Sequence, residues 1–351
     1  MPVGHGKRPA RSALAFHESV LMKSTLRRMR LPLAVLLLVL VSLAACSPIT
    51  LHAWWTASAS RAQGFVSRQL PLGEGGQLAY REGGQGDAVL LIHGFGGNGL
   101  LHWRTVMGDL VADHRVLTPD LLGFGDSHSS RPPSLDAQAD ALEALLRERR
   151  IERVSVVGIS YGGFLALELA RRLPQHVSRA VIINSPGPIY RDQDLHSLLR
   201  RAGVQSATQL FVPQSASDMR RLIGMTRSQP VEVSDWLLND MLARYYAGRQ
   251  AGLTALMDEL LQHTDSYRTR MQGIHPPSVV VWGEADAVFP LPLGQALATA
   301  LGAPLIQVAH GGHSLTADRP ALAVQAVRQA LHVPLQAGQL IRLGEDLPAL
   351  K

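Results

Sequence analysis

Residues 156–163 read VVGISYGG: an apolar run that ends among glycines, with a single hydroxyl, Ser160, held between them. Val154 and the Val156-Val157 pair read as a buried parallel strand. FLALELARRL, at 164–173, reads as a helix with Phe164, Leu165, Leu167 and Leu169 largely on one side. The serine therefore sits in a strand-to-helix turn with almost no loop. So tight a turn needs backbone angles that few residues adopt, and nearby glycines keep side chains off the facing backbone. The expected result is a Ser160 Oγ pushed out at the top of a sheet, beside the free N–H groups of a helix N-terminus. The pattern Gly-x-Ser-x-Gly has two free positions, however, and a serine ahead of a helix is also an ordinary N-cap. The rest of the chain has to supply a base, an acid and a pair of N–H donors.

Outward from this turn, strand and helix patterns alternate. GQLAYREGG and the wholly apolar AVLLIH read as strands, LLHWRTVMGDLVA as a helix and HRVLTPD as a strand. SLDAQADALEALLRERR reads as an amphipathic helix capped by Ser134. RVSVVG and RAVIINS are further strands. Such alternation implies an α/β fold with a mostly parallel sheet covered by helices on both faces. The rhythm stops near Pro186-Gly187-Pro188. From 189 to 272 only helical patterns are found, and the block reads as an inserted cap between two parts of a core, 69–188 and 273–335. PSVVVWGEAD, LPLGQALATAL, APLIQVAHGGH and RPALAVQAVRQAL then restore the alternation. Residues 336–351 read as a loose C-terminal tail.

The chain has 351 residues, 46% of them apolar and 18% charged, which describes a globular protein with a sizeable core. Its net charge of +6 suggests nucleic acid only until it is located. Residues 1–45 hold seven basic groups and one acid, which leaves 27 of each sign in the remainder. A nucleic-acid partner is therefore not expected. Residues 22–48, MKSTLRRMRLPLAVLLLVLVSLAACSP, carry a basic segment, an apolar run from Leu31 to about Leu43 and small residues before a break, the parts of a secretory signal. The run is short for a membrane span. Leu43-Ala44-Ala45-Cys46 resembles the lipobox of bacterial lipoproteins. That resemblance implies cleavage after residue 45, lipidation of Cys46, and retention on the envelope, at the outer membrane facing the periplasm if the source is Gram-negative. An uncleaved N-terminal anchor is the alternative, and Met22 is a second candidate start. Cys46 is the only cysteine, so no intrachain disulfide is possible. Residues 46–68 read as a tether, with Trp54 and Trp55 suited to a membrane interface.

Taken together, HGFGG (93–97), DLLGFGDS (120–127), GISYGG (158–163), WGEAD (282–286) and HGGHS (310–314) resemble the α/β-hydrolase superfamily, in its expected order and over roughly 68–332. The resemblance implies a serine esterase or lipase with Ser160 as nucleophile. A serine needs a base within hydrogen-bond reach. The base is His313, in the Gly-His pair where the family places it, with His310 as competitor. The acid that fixes the base's tautomer is Asp286, with Glu284, two residues earlier, as competitor. The oxyanion hole would use the backbone N–H groups of Tyr161 and, by resemblance, Phe95. His93 is expected to be structural, and Asp120, Asp126 and Ser127 to shape a loop.

Other readings remain open in the sequence. GFGGNG (94–99) also fits the dinucleotide fingerprint Gly-x-Gly-x-x-Gly, but that leaves the Ser, Asp and His motifs as coincidences. No metal cluster or phosphate loop is present, and no cofactor is expected. The first motifs also resemble carbon–carbon bond hydrolases, and perhydrolase chemistry uses the same triad. A non-catalytic envelope protein on a hydrolase scaffold is the alternative outside enzymes. The expected partner is a small-molecule or lipid ester, with no obligate protein partner. In the cap, Trp236, Leu237, Met241, Leu242, Tyr245 and Tyr246 are spaced so that several share one helical face. That face either packs on the hydrolase core and does nothing more, or it also roofs the Ser160 pocket and meets the acyl chain.

Overall fold

The computed structural model of the chain describes Met1, residues 47–272 and residues 276–345. The expected leader, Met1 excepted, and the expected lipidation site Cys46 lie outside the described residues. Two units divide the chain, 1–51 and 52–351, and the sheet and its helical layers described below belong to the second.

Among the described residues nine strands form one sheet. They are β1 (Val66–Gly73), β2 (Gly76–Gly83), β3 (Asp87–Ile92), β4 (His114–Pro119), β5 (Val154–Ile159), β6 (Val177–Ile183), β7 (Ser278–Gly283), β8 (Leu305–Val308) and β9 (Leu340–Leu343). Their order is β1-β2-β4-β3-β5-β6-β7-β8-β9. β1 and β2 pair antiparallel, as do β2 and β4, and every other pairing is parallel. The parallel strands other than the edge strand β9 are buried over most of their length, which is why they read as largely apolar runs. Alternate residues point opposite ways. Leu91, Val157, Ile159, Val181, Val281 and Ile306 face a layer made by α2 (Gly99–Leu110, with Trp103 and Met107) and α12 (Pro320–His332). The other face carries α3 (Leu135–Glu148), α4 (Tyr161–Arg172) and α11 (Leu291–Leu301). Asn98 caps α2 through Leu101 N–H (2.8 Å), and Ser134 caps α3 through Ala137 N–H (3.0 Å). Both side chains satisfy a donor that the helix itself cannot.

Between β6 and β7 the described chain is helical: α5 (Asp192–Ala202), α6 (Ala207–Phe211), α7 (Ala216–Thr226), α8 (Asp235–Tyr245), α9 (Gln250–Gln262) and α10 (Thr264–Met271).

Three expectations are corrected at the ends of the core. Residues 48–62 are not an irregular tether but a helix, α1 (Pro48–Ala62). Its Thr56 and Ser60 can be buried because each hydroxyl bonds back to a carbonyl of the preceding turn. The core starts at the buried Phe65 and at β1, not at residue 69. β1 was hidden because it is polar, largely exposed and carries Pro71, all of which an edge strand tolerates. The tail is not wholly loose, because β9 pairs with β8 from Leu305↔Leu340 to Val308↔Leu343. Four residues of period-2 pattern are too few to stand out in a sequence, yet they close the open edge of β8.

Candidate active site

β5 ends at Ile159 and α4 begins at Tyr161, so Ser160 alone makes the turn. It does so at φ 54°, ψ −119°, a conformation costing an L-residue on the order of 1–3 kcal/mol. Its N–H donates to Ile183 O (2.9 Å), and its carbonyl accepts from Gly163 N–H (2.9 Å). The flanking glycines are sterically required. A Cβ on Gly158 would lie against the Gly162 carbonyl, and one on Gly162 against the Ile92 carbonyl.

The structure brings Ser160, His313 and Asp286 together from three loops at the C-terminal ends of the strands. His313 Nε2 accepts from Ser160 Oγ–H at 2.9 Å, and its Nδ1–H donates to Asp286 Oδ2 at 3.0 Å. The Asp286 side chain is fully buried and that of His313 is 7% exposed. Asp286 Oδ1 accepts from Val288 N–H (2.8 Å) and Phe289 N–H (2.9 Å), which turns the other oxygen towards the imidazole. The Phe289 ring packs edge-on against His313, with centroids 5.3 Å apart. The competitors are elsewhere. Glu284 is exposed, and His310 occupies a turn at φ 54°.

Tyr161 opens α4, where a helix has no internal partner for its first N–H groups. The Phe95 N–H makes no hydrogen bond to another described residue. Both residues border the space in front of Ser160. The loop carrying Phe95 is held by His93, whose Nδ1–H donates to Gly94 O (2.7 Å) while Nε2 accepts from Leu121 N–H (2.9 Å). His102 braces the same loop, with Nε2–H donating to Gly96 O at 2.8 Å. Asp120 accepts from Gly99 N–H and Asp126 N–H, and Ser127 Oγ–H donates to Asp120 O at 2.6 Å. These contacts give the 120–127 segment a structural part beside the site.

Burial holds His93 and His102 neutral. It pushes their pKa values from 6.5 down to about 3 and about 4. Between those values and about 6.5 the unfolded chain binds more protons than the folded one. The two rings therefore stabilise the fold fully above about pH 6.5, and that stability is lost as the pH falls. Imidazole NMR signals of His93 and His102 should stay in the neutral form at pH 5, while the urea midpoint falls between pH 7 and pH 5. Titration of either ring near 6.5 in the folded protein would contradict this.

Two site residues were not anticipated. Asn184, fully buried at φ 46°, donates from Nδ2 to the carbonyls of Gly312 and His313 (2.9 Å each) and accepts from Gly283 N–H at Oδ1 (2.8 Å). It thereby fastens the His313 loop to the strand end that precedes Asp286. Its only signal is a polar residue closing the apolar run AVIIN. Asp318 accepts from Gly312 N–H (2.9 Å) and from Ser228 N–H (2.7 Å), and pairs with Arg227 (2.6 Å), joining the His313 loop to the segment after α7. Nothing in its sequence context marks it.

Ser160 lies where two cavities meet. The smaller, about 50 Å³, is lined by apolar side chains such as Phe164, Leu198, Met257 and Leu260. The larger, about 370 Å³, is bordered by His313 and by Leu237, Met241, Tyr245 and Tyr246 of the α8 region. Trp236 does not join that face. It is 66% exposed, because its position on α8 points away from the side that carries Leu237 and Met241.

The sequence profile of the alpha/beta hydrolase fold matches residues 87–320. The chain belongs to the α/β-hydrolase fold family. This α/β-hydrolase is 34% identical over 223 residues to a pimeloyl-[acyl-carrier protein] methyl ester esterase of Aromatoleum aromaticum, covering 61% of the chain and 85% of that protein. It is 30% identical over 236 residues to a 2-hydroxymuconate semialdehyde hydrolase of a Pseudomonas species, covering 62% and 76%. It spans only 33% of the length of the first curated relatives it matches, uncharacterized mycobacterial proteins 40% identical over 114 residues. Its fold is shared by a solved bacterial membrane phospholipase A, with a TM-score of 0.67, 23% identity and coverage of 87% of this α/β-hydrolase and 98% of that chain. Among the described residues no His/Cys/Asp/Glu group is arranged to hold a metal ion, and no helix is long and apolar enough to cross a membrane.

Proposed function

We propose that the protein is a serine hydrolase that cleaves carboxylic esters through an acyl-enzyme. The observation that carries this reading is the continuous chain Ser160 Oγ, His313, Asp286, at 2.9 and 3.0 Å, ending on a serine held in a strained turn. Ser160 Oγ attacks the carbonyl carbon as its proton passes to His313 Nε2. The carbonyl oxygen becomes an oxyanion that the N–H groups of Phe95 and Tyr161 stabilise. On collapse the bond to the alcohol oxygen breaks, and that oxygen takes the proton from His313 Nε2. Water then attacks the acyl-enzyme and gives a proton to the same nitrogen. The second tetrahedral intermediate releases the acid and returns the proton to Ser160. Asp286 keeps Nδ1 protonated and stabilises the imidazolium.

The test is labelling of the purified protein by a fluorophosphonate, with turnover of p-nitrophenyl esters. A labelled Ser160 and measurable esterase activity support the proposal. An unlabelled protein inert to every ester overturns it.

We also propose that the protein is exported and lipid-anchored at Cys46. The sequence Leu43-Ala44-Ala45-Cys46 after an apolar run supports this. Several acyl chains hold a protein on a bilayer, each buried CH₂ contributing about 0.8 kcal/mol. Cys46→Ser should abolish lipidation, and mass spectrometry of the purified N-terminus reads the outcome. An unmodified Cys46 still preceded by its leader in the wild type would leave the chain merely signal-anchored.

A further inference from the structure

An ester bound with its carbonyl carbon at Ser160 Oγ has two arms, and the two cavities that meet at Ser160 differ about sevenfold in volume, about 370 against about 50 Å³. Besides Ser160 they share only Phe95 and Phe211. The chemistry assigns the arms. The alcohol oxygen must come within reach of His313 Nε2, which protonates it as the bond breaks. His313 borders the larger cavity and not the smaller. The acyl arm then points the other way, past Tyr161, into the smaller chamber under α5, α6 and α9. Its walls there include Leu198 and Leu260, 1% and 9% exposed. The smaller chamber, enclosed by these side chains and far smaller than the cavity on the other side of Ser160, leaves room for a short acyl tail only.

We infer that the enzyme acts on esters joining a short acyl group to a large apolar alcohol. This rests on the ester-hydrolase reading above and names its substrate class. The α8 face that the sequence suggested would meet the acyl chain instead meets the alcohol. Leu237, Met241, Tyr245 and Tyr246 line the cavity on the leaving-group side.

The experiment is a two-way ester series on the full chain. With p-nitrophenol as the constant leaving group, kcat/KM should peak at acetate to butanoate and fall at least tenfold by octanoate. With acetate as the constant acid and straight-chain alcohols, kcat/KM should rise about threefold to fourfold per methylene until the larger cavity is full. Leu260→Ala deepens the small chamber and should raise the octanoate-to-acetate ratio at least tenfold. Leu195→Ala, a partly exposed residue on the same wall, should act in the same direction if the first variant does not fold. Met241→Ala should flatten the alcohol series and leave the shape of the acyl series alone. A wild type faster on octanoate than on acetate overturns the assignment of the arms. So does an acyl profile reshaped by Met241→Ala and not by the small-chamber variants. In both cases Ser160 still takes up a fluorophosphonate. Loss of labelling together with loss of all ester turnover instead sinks the ester-hydrolase reading itself, and this inference with it.

Discussion

Replacing Ser160 by Ala should cut kcat on a good ester by a factor on the order of 10⁶, with fluorophosphonate labelling lost and the fold intact. The substitution removes the only atom that forms the covalent intermediate. It leaves the main-chain bonds Ser160 N–H to Ile183 O and Gly163 N–H to Ser160 O unchanged. Alanine occupies the φ 54° turn with a side chain no larger than serine's. Circular dichroism and thermal melting, run beside the kinetics, should therefore match the wild type. Wild-type-like turnover in this variant would remove the serine from the mechanism.

The second large effect is expected at Asp286. Asp286→Asn should fold normally and lose on the order of 10⁴ in kcat/KM, by analogy with the acid of serine proteases. The main chain dictates the reason. Val288 N–H and Phe289 N–H both donate to Asp286 Oδ1, so an asparagine keeps its carbonyl oxygen there and turns its NH₂ towards His313. His313 Nδ1 must then accept, the proton moves to Nε2, and the ring can no longer take the proton of Ser160 Oγ. Glu284→Gln should change the rate by less than about twofold, because Glu284 is exposed and an exposed charge in water interacts weakly. Steady-state kinetics on one short ester compares the two variants. If Glu284→Gln is the crippled one, the acid has been misassigned.

Much of the site was legible in the sequence because its signals are local. The Gly-x-Ser-x-Gly turn needs glycines within two residues of Ser160 for steric reasons, and the strand and helix on either side have periodicities of their own. His313 and Asp286 follow apolar strands, β8 and β7, whose C-terminal ends open on one edge of a parallel sheet. Asn184 and Asp318 were not legible. Asn184 acts across more than 120 residues of chain, on Gly312 and His313, and Asp318 reaches Ser228 across 90. Neither partner leaves a mark beside the residue that holds it. Trp236 failed for a related reason. Helical spacing groups Trp236 with Leu237 and Met241, but only packing against the rest of the fold decides which side of that arc is buried.

The sequence by itself determined the alternating architecture, the strained serine and the identity of the residues that meet it. Each follows from the steric and hydrophobic preferences of a few neighbours. The tertiary structure alone decided the edges of the sheet and the division of space at Ser160. β1 and β9 exist because a neighbouring strand offers them unpaired backbone groups, not because their own residues favour strands strongly. The volumes on the two sides of the serine are set by Leu198, Leu260, Leu237 and Met241, side chains from α5, α9 and α8 that are far apart in the chain. A cavity is the space that such residues leave unfilled when they pack, so no single stretch of sequence carries its size.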